Sequence, residues 1–132
     1  MPNSITVPVR THYYQFDQQG VAFNMWYLAF IEEARNGYLA GIGFSLEDLL
    51  ASGHDIQLVH VEMDWSAALR YGDILEVEVT LGRTGNTSFS IHHQLTVNGL
   101  ASALGTAVYV IIDGATQKKA SLPPSLRAAL EG

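Results

Sequence analysis

Cysteine is absent from this 132-residue chain. Disulfide scaffolds, thiolate metal sites and cysteine nucleophiles are thereby excluded. Charge is also scarce: 15% of residues are charged against 48% apolar, which makes the chain globular and leaves part of its surface to be covered by other subunits. Cations are scarcest, seven against thirteen acids, for a net charge of −6. Phosphate backbones and anionic lipids select basic surfaces, so nucleic-acid and membrane binding are not expected. The cations are Arg10, Arg35, Arg70, Arg83, Lys118, Lys119 and Arg127, leaving room only for a local spot that holds a phosphorylated ligand. No apolar run approaches 18 residues, and Met1-Pro2-Asn3-Ser4 lacks the basic and apolar regions of a signal peptide. A cytoplasmic, soluble protein is expected, folded as one domain over residues 1–132.

What is present divides by its hydrophobic period. Ile5 to about Tyr14 reads as a strand, and Pro8 places it at a sheet edge. Asn24 to Ala40 reads as a helix, with Asn24 as N-cap and Gly41 just past its end. Its front half, Met25-Trp26-Tyr27-Leu28-Ala29-Phe30-Ile31, is apolar on all sides, which predicts burial. Ser45-Leu46-Glu47-Asp48 has the capping hydroxyl and first-turn acids of a second, short helix. The period then becomes two. Val59, Val61, Met63 and Trp65 alternate with polar residues, as do Leu75, Val77, Val79 and Leu81. Phe89, Ile91, Leu95 and Val97 do the same, with His93 as the exception in that stripe. These are strands with one buried face. Asn98-Gly99 is a hairpin signal leading into Ala101–Ile112, apolar on both faces and therefore interior. A short C-terminal helix follows Leu122-Pro123-Pro124. One buried helix and a mostly antiparallel five-stranded sheet wrapped around it make an α+β fold.

One acid stands where chemistry can use it. Asp17 precedes Gly20 and the start of the buried helix. A carboxylate there supplies a base or nucleophile, and the first turn of the helix supplies backbone N–H groups for a developing negative charge. The plain alternative is a loop aspartate that makes a turn or caps the helix.

The stretch Val9-Arg10-x-x-Tyr13-Tyr14-x-x-Asp17-x-x-Gly20-Val21-x-Phe23-x-x-x-Tyr27-Leu28-x-Phe30-x-Glu32-x-Ala34-Arg35 resembles the signature of hot-dog-fold acyl-CoA thioesterases of the 4-hydroxybenzoyl-CoA thioesterase-like branch. The segment Leu58–Trp65 followed by Tyr71-Gly72-Asp73 is similar to that family's second strand and turn. Leu58-Val59-His60 with Lys118-Lys119-Ala120-x-Leu122-Pro123 resembles its 1,4-dihydroxy-2-naphthoyl-CoA thioesterases. The resemblance implies a hot-dog fold, a homotetramer built from dimers with sites at subunit interfaces, and hydrolysis of a small or aromatic acyl-CoA without metal or cofactor. It implies Asp17 as the catalytic carboxylate and the Asn24 backbone N–H as the group polarising the carbonyl. Gly20 would let the loop approach the substrate, and Phe23, Tyr27 and His60 would shape the acyl pocket. The pattern departs from the family at Gln15, Phe16 and Asn24. Some members hold a CoA phosphate with basic residues at the equivalent of Gly85-Asn86-Thr87, where this chain has none and Arg83 is the nearest cation.

Other readings compete. Glu32 pairs with Arg35 at i, i+3, or serves as a reserve catalyst. The histidines His12, His54, His60, His92 and His93 show no metal-ligand spacing, and His92 and His93 fall on opposite strand faces. A hot-dog hydratase needs a histidine near the central helix, and none lies between Asp17 and Ala40. A non-catalytic acyl-CoA-binding module and a thioesterase for a carrier-protein thioester remain as alternatives.

Overall fold

The computed structural model describes residues 4–132; the reading of Met1-Pro2-Asn3 as free of a leader lies outside the described residues. Strand β1 (Ser4–Val9) is followed by a 3-10 turn (Tyr13–Gln15), helix α1 (Trp26–Ile42) and helix α2 (Leu46–Ala51). Strands β2 (His54–Trp65), β3 (Leu75–Thr84), β4 (Ser88–Val97) and β5 (Leu100–Asp113) come next, and helix α3 (Pro124–Glu131) ends the chain. All pairings are antiparallel, in the order β1-β3-β4-β5-β2. Pro8 sits in an edge strand and β5 lies inside the sheet, as the sequence predicts.

The sheet curves around α1. At one edge Gly37 and Gly41 of the helix face Val7 and Ile5 of β1. In the middle the Arg35 guanidinium lies over the Tyr109 ring of β5, and near the other edge Tyr27 meets Trp65 of β2 edge-on. A rod touched by both outer strands and by β5 is the hot-dog arrangement. The two glycines set its closeness. A Cβ on Gly37 would stand 2.6 Å from Val7 Cγ1, so only a residue without one fits.

Alternation gives the sheet its inner face. Leu75, Val77 and Val79 of β3 and Phe89, Ile91 and Leu95 of β4 are buried against α1. Asn98 and Gly99 both adopt positive φ, 52° and 83°, the backbone of a tight two-residue hairpin. Ser45 caps α2 by accepting the Asp48 N–H, and Asp48 returns the bond to the Ser45 N–H.

Several expectations are corrected. β1 stops at Val9, because the chain turns through Tyr13–Gln15 instead of extending to Tyr14. α1 starts at Trp26 with no side-chain cap, so Asn24 is not its N-cap. It runs past Gly41, and Gly43, left-handed at φ 98°, ends it. Its front half is not buried all round: Met25 and Leu28 are exposed. In β2 the register slips between Leu58 and His60, so Val59 is the extra residue of a bulge and faces solvent. Ile56, Leu58, Val61 and Met63 form the inward row instead.

Candidate active site

The loop ahead of α1 is a small closed structure. Asp17 N–H donates to the Val21 carbonyl at 3.0 Å, and Gly20 N–H donates to the Asp17 carbonyl at 2.9 Å. Gly20 makes that turn with φ +78°, a region that favours glycine. The Asp17 carboxylate accepts the Gln19 N–H at 2.9 Å through Oδ1. The turn-making role is therefore real, and it also aims the carboxylate: one oxygen is engaged by the loop. The next residues are pinned as well. Ala22 N–H donates to the Leu69 carbonyl, and Phe23 N–H to the Gln15 carbonyl.

The first turn of α1 then decides which amides are free. Trp26, Tyr27 and Leu28 N–H groups donate to the carbonyls three residues back, on Phe23, Asn24 and Met25. Among the described residues no acceptor meets the N–H of Asn24 or Met25. These two donors stand at the positive end of a 17-residue helix.

Asp17, Phe23 and Asn24 line one open depression of about 550 Å³. Asn24 also belongs to a neighbouring cavity of about 270 Å³, walled by the apolar Met25, Tyr27, Leu28, Val61, Met63 and Trp65 together with Glu62. The structure thus brings together Asp17, Gly20, Phe23, Asn24 and Tyr27. It does not bring His60 to them. His60 is on the outer side of β2, beyond the bulge, with its Nε2 3.6 Å from a Glu62 carboxylate oxygen. Arg83 is also elsewhere. It lies at the far end of β3, about 25 Å along the strand from Leu75, which pairs with Val9 near the site.

Glu32 is tied into the core. Its Oε2 accepts from the Tyr109 hydroxyl at 2.6 Å and from Arg35 Nη1 at 2.9 Å. The ion-pair reading holds, with both bonds made by Oε2. Burial, then the bond to Glu32, pushes the Tyr109 hydroxyl well above the usual phenol range. Among the described residues no three His, Asp or Glu side chains converge as metal ligands.

The sequence reading missed Val61, Met63 and Trp65 as cavity walls and Arg70 at the loop. The alternation marked the first three as inward-facing but not which end of β2 is open. Arg70 carries no signal of its own beyond standing next to Tyr71-Gly72-Asp73.

The sheet wrapped on its central helix is the hot-dog fold, with a carboxylate loop and two unpartnered amides at the front of that helix. The thioesterase-like superfamily model matches residues 12–130, and the chain belongs to that family. It is 28% identical over 133 residues to the acyl-CoA thioesterase YbgC of Haemophilus influenzae, covering 98% of this chain and 96% of that one. It is 25% identical over 117 residues to the 1,4-dihydroxy-2-naphthoyl-CoA hydrolase of Synechococcus elongatus, covering 87% and 86%. The DHNA-CoA thioesterase structure from Staphylococcus aureus superposes with a TM-score of 0.88 at 19% identity, over 98% of this chain and 89% of that one, which shows the shared fold.

Proposed function

We propose that this protein hydrolyses a small aromatic acyl-CoA thioester to the free acid and CoA, in the cytoplasm, without metal or cofactor. The observation that carries the reading is the pair of unpartnered N–H groups on Asn24 and Met25, in a residue run that also lines the Asp17 depression. A thioester carbonyl oxygen accepting from Asn24 gains charge as the tetrahedral intermediate forms. Each such donor lowers the barrier by about 3–4 kcal/mol. Asp17 either attacks the carbonyl carbon, giving an anhydride that water then opens, or takes a proton from an attacking water. In both routes the C–S bond breaks, water supplies the new acid oxygen, and sulfur leaves as thiolate and is protonated.

The adjoining cavity supports a flat acyl group. Tyr27 and Trp65 bring ring edges and faces, Val61 and Met63 an apolar floor. A hydratase reading gains little, since among the described residues no histidine lines this cavity. The chain acts as a homo-oligomer, a dimer of dimers, in this reading. Val59 and Trp65 on the edge strand β2 and Met25 and Leu28 on α1 expose apolar area along one border, which a second copy would cover.

The test is thiol release from acyl-CoAs running from acetyl to palmitoyl, with benzoyl, 4-hydroxybenzoyl, phenylacetyl and 1,4-dihydroxy-2-naphthoyl. Turnover of the aromatic members, reduced at least about 100-fold by Asp17→Asn, is expected. Equal turnover in that variant removes Asp17 from the chemistry. Tight binding without hydrolysis would favour the acyl-binding module, and silence with CoA esters but turnover of an acyl carrier protein would move the substrate.

A further inference from the structure

The thioesterase reading leaves unexplained how an acidic chain holds an anionic substrate. CoA carries phosphates, and this protein has few cations to meet them. Arg35 is buried and paired with Glu32. Arg127 is bonded to the Gly85 carbonyl and lies near Glu131, beside the far end of β3. Arg83 is at that same end. Lys118 and Lys119 follow the end of β5.

Arg70 is different. It forms a bridge with Val21, and the preceding residue accepts the Ala22 N–H, so its backbone is stitched to the segment joining Asp17 to Asn24. Its Nη1 lies 3.8 Å from where a Cβ on Gly20 would stand. The guanidinium therefore rests against the tip of the Asp17 loop, at the one loop residue with no side chain to displace it. The nearest acid in sequence, Asp73, has both its oxygens engaged by other donors. Asp73 Oδ2 is taken by the Arg70 backbone N–H at 2.8 Å, and Asp73 Oδ1 by Asn98 Nδ2 at 3.0 Å. Among the described residues no carboxylate pairs with the guanidinium. The result is a cation with a fixed backbone and an unclaimed donor fork beside the site. A planar guanidinium takes two oxygens of a phosphate or carboxylate at once.

Resting on the thioesterase reading, we infer that Arg70 is the anion-binding residue of this site, taking an anionic oxygen of the substrate: a phosphate of the CoA arm or a carboxylate on the acyl group. It is a binding and specificity residue; the chemistry stays with Asp17 and the Asn24 N–H. Arg10, the other cation at this end, lies in a separate depression beside Tyr71-Gly72-Asp73 and serves as the control.

The experiment compares Arg70→Gln, Arg70→Lys and Arg10→Gln with the parent. Substrates are matched CoA and pantetheine thioesters, and hexanoyl against adipoyl. Arg70→Gln should raise KM about tenfold or more with kcat within about twofold. Lysine should restore part of the loss, and Arg10→Gln should leave KM alone. An effect that disappears on pantetheine thioesters identifies a CoA phosphate. One confined to adipoyl identifies an acyl carboxylate. KM within about twofold of the parent on every substrate overturns the inference. Should the parent hydrolyse neither these nor the aromatic CoA thioesters, the hydrolytic reading fails separately. Calorimetry with free CoA and adipoyl-CoA then decides Arg70: weaker binding in Arg70→Gln supports its role, and equal Kd overturns it. Arg70 is exposed, so unchanged circular dichroism is expected in both variants.

Discussion

His93 is the buried titratable residue expected to make this protein's stability sensitive to acid. It stands in the apolar stripe of β4, 1% exposed, with neither ring nitrogen hydrogen-bonded. Burial, with help from the neighbouring His92 and Arg35 charges, pulls its pKa down to about 4, from an ordinary value near 6.5. The folded state keeps the ring neutral while the unfolded chain protonates it. Between pH about 6.5 and 4 the unfolded state binds more protons, so stability falls as pH drops through that window and is unaffected above it. The slope approaches about 1.4 kcal/mol per pH unit, for about 3 kcal/mol in all. Urea midpoints at pH 7.5 and 4.5 should differ strongly in the parent and much less in His93→Leu. A parent whose midpoint ignores pH across this range would refute the account. The alternation made His93 conspicuous as a polar break in an apolar row. That its ring would find no partner was not readable, because the partner's absence depends on what α1 places opposite.

At the scale of elements, α1 and β1 meet through a missing side chain. Alanine normally favours a helix interior over glycine by about 1 kcal/mol. At Gly37 the sign should reverse. The added Cβ would lie 2.6 Å from one Val7 methyl and 2.9 Å from the other, and a β-branched valine has little freedom to turn away. Gly37→Ala is expected to cost about 1–3 kcal/mol. Val7→Ala in the same background should recover part of it, seen as partial return of the urea midpoint. If Gly37→Ala is neutral or stabilising, the missing side chain is not what lets the two elements meet so closely. Element identity was mostly legible: period-two rows gave the strands, Asn98-Gly99 the hairpin, Ser45 the start of α2. Boundaries were less so. Asn24 looks like a cap but is followed by a 3-10 turn that uses its carbonyl rather than its side chain. Val59 fits the alternation and is expelled by the bulge, since a period-two pattern holds only while both strands advance together. His60 stays on the polar face that the alternation gives it; the resemblance, not the period, put it at the pocket.

For the whole molecule the exposed border matters most. Edge strand β2 offers unpaired backbone and the outward Val59, and Met25 and Leu28 of α1 are exposed beside its Trp65 end. In the oligomer reading, Val59→Glu puts a charge in that border and should shift the protein toward monomer in light scattering. If the site is completed by a second copy, thiol release should fall in step with assembly. Unchanged mass in the variant would remove this border as the contact. The candidate site itself was half legible. Asp17, Gly20, Phe23, Asn24 and Tyr27 are close in sequence and stay close in space. Trp65 and Arg70 join them only because β2 returns beside the start of α1 and the next loop crosses Val21, which no local pattern announces.

Gly37 and Gly41 act as a shim of zero thickness under one end of a rigid rod. α1 is about 25 Å long. Its rear turns rest on β1, while its front turn forms one wall of the 270 Å³ cavity. Thickening the shim would lift the rear and tip the front, so in the thioesterase reading the gauge of the acyl slot is set about three turns from the substrate. The acyl-length profile of Gly37→Ala, compared with the parent, reads that gauge directly.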